Sequence, residues 1–346
     1  MFKQAIFIAT FLFAGSQASF AQIFPNLGGQ RVGISALTFL KNTLSPRSVG
    51  MAGADVTLTG DGYCFNTNPA LVSELKGTTI GLNNLTFANS INHTSLNIAF
   101  PLSTASRLTF NMNNLSSGAM EKRTEFQPNG TGEYFYVGQT VAGVGYAQQL
   151  SDMFSFGGQV KVVHESLAEY RTTTLGVDMG FLYRTDYKHL RFAAAVQHFG
   201  GNSSLNGSEK PVTYTRNSAI TIDEFSAPTL FKMGASIRAI DRPDYYLTTA
   251  VQLNHPNDNA ENIRLGAEFV FRNRFSLRTG YKINVNGEKW PTGGIGIIFP
   301  DAKFPFTLDY GFFPSDYLGM YHSVGFYFSL GKKDETPRTI GTVEMN

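Results

Sequence analysis

The feature that most limits what this chain can fold into is a strict alternation of side chains that recurs along most of its length. From Ile263 one set reads Ile263, Leu265, Ala267, Phe269 and Phe271, and the interleaved set reads Arg264, Gly266, Glu268, Val270 and Arg272. From Phe275 the apolar set is Phe275, Leu277, Tyr281 and Ile283, and from Phe304 it is Phe304, Phe306, Leu308, Tyr310 and Phe312. Leu108, Phe110 and Met112 alternate with Thr109, Asn111 and Asn113. Phe154, Phe156, Val160 and Val162 alternate with Ser155, Gly157, Gln159 and Lys161. A period of two is the mark of a β-strand, whose successive side chains point to opposite faces.

The pattern predicts strands over residues 77–87, 92–102, 106–116, 138–150, 153–166, 170–184, 189–199, 228–240, 244–254, 261–272, 274–284, 291–300, 303–313 and 319–330. Alternation alone fits a soluble sandwich or a membrane barrel, because either can bury one face and wet the other. Connection lengths separate the two. Every second connection (103–105, 151–152, 185–188, 241–243, 273 and 301–302) has four residues or fewer, whereas the other series holds the two longest, 117–137 and 200–227. Short turns on one rim, long loops on the other and an even strand number are the pattern of an outer-membrane barrel. The expected fold is therefore all-β: a 14-stranded antiparallel transmembrane β-barrel, residues 77–330, in the cell outer membrane.

Composition agrees. Charged residues are 16% of the chain and aromatics 13%, with 30 Phe, 15 Tyr and 35 Gly among 346 residues. Mean hydropathy is −0.11, and no long apolar run exists to make a spanning helix. The net charge of +2 argues against a nucleic-acid partner. The single cysteine, Cys64, excludes an internal disulfide and reads as a small buried apolar residue.

Residues 1–21 read as a signal peptide: Lys3, a short apolar core over residues 5–14, and Ser19-Phe20-Ala21 before the cut. Residues 22–76 are too long for a simple lead-in and are expected to form an N-terminal plug folded into or under the lumen. Gly50 and Gly53 suit close backbone packing, and Asn68 before Pro69 suits a helix cap. Phe39, Leu40, Met51 and Leu71 are candidates to line an apolar pocket beside that plug, or simply to pack it. Residues 331–346 read as a polar periplasmic tail.

Inward-facing Arg264, Glu268, Arg272, Arg278, Lys282 and Asp309 are expected to form a salt-bridged lumen network or, equally, a plain solvated channel lining. Tyr134, Phe135 and Tyr136, placed in an extracellular loop, are expected to be anchors for a protein partner or part of an aromatic girdle. No enzymatic motif is present: Gly-x-Ser-x-Gly and His-Glu-x-x-His are both missing. His164, Glu165 and Ser166 are adjacent on one strand and so cannot face one another. Asn257, Asp258, Asn259 and Glu261 offer oxygen ligands, but they read as a solvated turn; no metal and no cofactor are expected.

The N-terminal residues resemble the PorV/PorQ family, FadL-like outer-membrane barrels of the Bacteroidetes. The resemblance rests on Ala36-Leu37-Thr38-Phe39-Leu40, on Pro46-Arg47-Ser48-Val49-Gly50-Met51-Ala52-Gly53-Ala54, on Asp61, and on Asn68-Pro69-Ala70-Leu71. Gln197-His198-Phe199-Gly200-Gly201 is similar to a corner of that family, whereas Ala52 stands where a glycine is usual. The resemblance implies a non-enzymatic role in type IX protein secretion. The protein would be a shuttle for cargo with a C-terminal signal domain, or a membrane anchor for a surface attachment-complex partner. Phe39, Arg47, Gly50, Gly53, Asn68, Pro69 and Ala70 are the motif residues. The alternative is a FadL-like channel for hydrophobic small molecules.

Overall fold

The computed structural model describes residues 33–87, 91–205, 224–288, 290–317 and 319–330. Residues 1–32, most of the 200–227 connection and residues 331–346 lie outside the described residues, and with them the expected signal peptide and periplasmic tail. The strands are β1 (Thr78–Thr86), β2 (Asn92–Pro101), β3 (Ser106–Glu121), β4 (Tyr134–Gln149), β5 (Phe154–Leu167), β6 (Tyr170–Arg184), β7 (Arg191–Gly200), β8 (Asn202–Ser203), β9 (Phe225–Ser226), β10 (Leu230–Asp241), β11 (Tyr245–Pro256), β12 (Asn262–Phe271), β13 (Phe275–Ile283), β14 (Thr292–Phe299), β15 (Phe306–Ser315) and β16 (Gly319–Leu330). All but the two-residue pair β8 and β9 join in one closed ring, in which β16 pairs back onto β1. The neighbouring pairs are antiparallel throughout, so no edge is left open.

The ring sorts the alternating side chains. On β13, Phe275, Leu277, Thr279 and Tyr281 are exposed, and Ser276, Arg278, Gly280 and Lys282 are buried. Val160, Leu175, Phe181, Leu277 and Val324 are among the many large apolar side chains exposed on the outside. An outer surface this apolar is suited to lipid, and the polar set faces the lumen.

Two details depart from the sequence reading. The turns of the short rim run up to six residues, as at 185–190 and 300–305. On the opposite rim β3 and β4 extend well past the expected ends, with a register shift between Ser116 and Ala119. Glu121 pairs with Tyr134, Met120 with Phe135 and Ala119 with Tyr136, so these aromatics are strand residues rather than loop residues. The bulge accommodates an extra residue and lets the ladder continue. The β3–β6 wall therefore stands taller than the rest of the barrel: β3 and β4 have 16 residues each, whereas β14 has 8.

Residues 37–75 pack against inward-facing side chains of the ring. The segment is mostly irregular, with one short helix, α1 (Pro46–Gly50), and a 3-10 turn over Pro69–Glu74. Its backbone polar groups must find partners where no ladder supplies them. They find inward-facing side chains all round the wall. Asn83 of β1 and Ser323 of β16 donate to the Leu44 carbonyl (3.0 and 2.8 Å). Thr292 of β14 donates to Gly50, and Gln252 of β11 accepts from the amides of Asp55 and Val56. Gln197 of β7 donates to the carbonyls of Asn66 and Thr67, and Arg107 of β3 to that of Leu75. Only a segment in the lumen reaches so many strands at once.

Inward glycines make the room. A Cβ on Gly280 would lie 2.4 Å from the Met51 carbonyl carbon, and one on Gly157 2.5 Å from that of Pro69. Both distances are far inside van der Waals contact, so the wall is bare of side chains where the segment's backbone passes.

Candidate functional site

The lumenal segment is fastened by charge. The Arg47 fork donates to Glu268 of β12 through Nε (2.9 Å) and Nη2 (2.6 Å), and Nη1 donates to Asp61 and to the Thr59 carbonyl (both 2.8 Å). Arg278 of β13 donates to Glu268 (2.8 Å) and to Asp309 of β15 (2.6 Å). Helix α1 puts Arg47 here because Ser45 caps it, accepting from the Ser48 amide, and Pro46 occupies its first position. Burial pulls the Arg47 guanidinium down, but Glu268 and Asp61 outweigh it and hold the group well above its usual range. Bidentate pairing of this kind is strong once desolvated.

A second anchor is Asn68. Its side chain accepts from the Ala70 amide and donates to the carbonyls of Val56 and of Phe181 on β6 (3.1 Å each). Glu74, at the end of the same turn, pairs with Arg184 and Arg191 at the short rim. Cys64 is buried within this region, and burial pushes its thiol well above the ordinary range.

What remains of the lumen is a set of small cavities, one of about 100 Å³ lying beside Arg47, Ser236, Thr248 and Glu268. One cavity of about 30 Å³ lies between residues 40–45 and Lys232 and Arg264. Another of about 40 Å³ lies beside Phe39, His93, Asn113, Lys161, Asp178 and His198. Each of these two has room for no more than a water molecule or two, whereas a cavity that takes benzene is about 150 Å³. Nearer the long-loop rim the lining turns apolar. Leu37 and Phe39 pack with Val141 and Val163, flanked by Ala36, Leu40 and Leu115. Above them an open groove of about 220 Å³ is lined by Ala36, Leu37, Leu167, Leu205 and Phe225 together with Glu165 and Thr172.

This closed 14-stranded ring has counterparts among solved structures. The chain is similar to the Pseudomonas putida toluene transporter TodX, with TM-score 0.56 and 13% identity over 83% of this chain and 98% of that one. It is similar to the Ralstonia pickettii toluene transporter TbuX, with TM-score 0.52 and 14% identity over 84% and 98%. A Pseudomonas aeruginosa FadL homologue matches with TM-score 0.50 and 10% identity over 87% and 98%. The fold is that of the FadL-type outer-membrane barrels. No protein-family model matches the chain, and no curated protein matches it.

In this FadL-type barrel the residues singled out in the sequence separate into distinct places. Glu268, Arg278 and Asp309 come together around Arg47. Lys282 instead reaches Glu288 on the rim, and Arg264 donates to Asn262 and lies over Gly53. Arg272 is not inward at all: it sits in a short-rim turn at positive φ, exposed, 3.6 Å from Asp244. The pairing of β12 with β13 ends at Phe271, which removes Arg272 from the alternation. Phe39, Met51 and Leu71 belong to three different apolar clusters and do not line one pocket. Gly50 packs against Gly294, Pro69 and Ala70 against Gly157. Asp258 is held by Lys41 (2.6 Å) and Ser35, and Glu261 by His255. Among the described residues no group of three or more His, Cys, Asp or Glu is placed to hold a metal.

Sequence reasoning passed over Lys161, Asp178 and His198 as a group. Lys161 donates to both oxygens of Asp178 (2.6 and 2.7 Å) and to His198 Nδ1 (2.5 Å), and the His198 amide donates to Asp178 (2.6 Å). The register slips between Val177 and Met179, and His198 has positive φ. The alternation over residues 154–162 placed Lys161 on the polar set, but Asp178 was not singled out, and the bulge that turns His198 toward them has no sequence signature.

Proposed function

We propose that this outer-membrane barrel takes up small hydrophobic molecules from the long-loop side. One observation carries the reading: the apolar stripe that descends from the rim groove through Leu37, Phe39, Val141 and Val163 into an otherwise polar lumen. The toluene transporters of the same fold give it context. The test is uptake of labelled toluene by proteoliposomes with a lipopolysaccharide outer leaflet. Uptake several-fold above that of protein-free vesicles supports the reading, and equality overturns it.

A second reading, a role in type IX secretion, has its own support. The lumen is nearly filled, and the tall β3–β6 wall presents Tyr134 and Tyr136, 60% and 61% exposed, beside Phe135 and Tyr170 around an open hollow. Aromatic clusters of this kind suit a protein partner. Recovery of secretion components or cargo bearing a C-terminal signal domain with the native protein favours it.

A further inference from the structure

Resting on the reading of this barrel as a route for small hydrophobic molecules, we infer that the open groove at the long-loop rim selects hydrophobic amines in their protonated form, and that Glu165 is the residue that sets this choice. On β5 the inward residues run Gln159, Lys161, Val163 and then Glu165, so a carboxylate returns above the apolar level. Glu165 stands directly opposite Gln139 of β4 and Thr172 of β6, and it is 5% exposed. Its Oε1 accepts from the Gln139 side-chain amide. Its Oε2 takes no hydrogen bond from the described residues and is not sealed from solvent. No cation among the described residues pairs with it: Lys161, the cation on the same face of β5, is matched by Asp178.

The groove needs no rearrangement to admit a ligand. It is open, and its volume of about 220 Å³ exceeds the roughly 150 Å³ of a cavity that takes benzene. Leu37, Leu167, Leu205 and Phe225 offer an aromatic ring an apolar bed. Every other polar side chain of the lining (Ser35, Thr38, Thr172 and Ser203) is a hydroxyl, and no lysine, arginine, histidine or side-chain amide lines it among the described residues. The polar part is therefore rich in acceptors and carries one charge, a negative one. Water hydrates Oε2 but does not neutralise it, and a ligand that displaces this water must replace its hydrogen bond. A hydrocarbon leaves the carboxylate less solvated, and a ligand carboxylate repels it. An ammonium brings N–H donors together with the missing charge.

The experiment measures binding of 4-methylbenzylamine, p-xylene and 4-methylbenzoate to the unaltered full-length protein in a non-ionic detergent at neutral pH, by calorimetry against protein-free micelles. The expected result is the amine bound about tenfold tighter than the hydrocarbon, the discrimination of one charge-assisted hydrogen bond, with the benzoate weakest. Glu165→Gln, which keeps the size of the side chain and removes its charge, should bring the amine down to the affinity of p-xylene. The mobility of unheated protein on gels confirms a folded barrel in the variant. Amine and hydrocarbon binding equally to the unaltered protein, or a preference that survives Glu165→Gln, overturns the inference and leaves the hydrophobic route standing. Binding of none of the three overturns the groove as a site. Whether the route exists is read separately, from toluene uptake by the unaltered protein.

Discussion

Arg47→Ala should turn a closed barrel into a conducting one. The substitution removes the one side chain that ties α1 to Glu268, Asp61 and the Thr59 carbonyl together. Glu268 keeps Arg278, but Asp61 loses its ion pair inside the lumen. Breaking a buried pair from one side costs about 3–5 kcal/mol, because the abandoned charge stays desolvated. The wall itself is held by continuous ladders that Arg47 does not join, so the cost falls on the seating of the segment. At that size the ratio of seated to unseated segment falls by about a hundredfold or more. Planar-bilayer recordings should show conductance well above that of the unaltered protein, with the heat-sensitive gel mobility of a folded barrel retained. Arg47→Lys, which keeps the charge but not the fork, should lie between the two. A silent Arg47→Ala channel would mean that the fork is not what holds the segment.

The second large effect is a contrast between neighbours. Gly157 and Gly158 adjoin on β5 and face opposite ways. A Cβ on Gly157 meets the backbone of Pro69 and Ala70 at 2.5 and 2.6 Å, whereas one on Gly158 finds nothing nearer than 3.8 Å. Gly157→Ala should destabilise the seated segment by about 1–3 kcal/mol, the usual cost of overpacking a fixed backbone. Gly158→Ala should be neutral or slightly stabilising, since the strand gains a better strand former. Limited proteolysis of residues 33–77 in detergent reads the difference. Equal protection of the two variants would place the segment elsewhere.

The wall was legible in the sequence because its grammar is local. The period of two set strand and face, and the parity of connection lengths separated barrel from sandwich. Glu268 and Arg278 both fell on the inward set of their strands, and the ladder places them directly opposite each other. What the sequence did not reveal is long-range. Arg47 and Glu268 are 221 positions apart, and nothing local to either names the other. The inward glycines looked like ordinary small lumen residues until the segment was seen against them. Tyr134, Phe135 and Tyr136 were misplaced for a related reason: a bulge breaks the alternation of β3, so the strand seemed to end where it only shifts register.

A closed barrel in lipid requires successive residues of a strand to face opposite sides of the wall. Single cysteines along β13 at residues 275–282, each carrying a nitroxide, measure this by collision with oxygen dissolved in lipid against a polar nickel chelate; the buried Cys64 offers no competing label site. The prediction is a period of two in reconstituted bilayers, with labels at 275, 277, 279 and 281 oxygen-accessible and those at 276, 278, 280 and 282 shielded from lipid. A flat profile, or one in which both sets are shielded from lipid, contradicts the barrel.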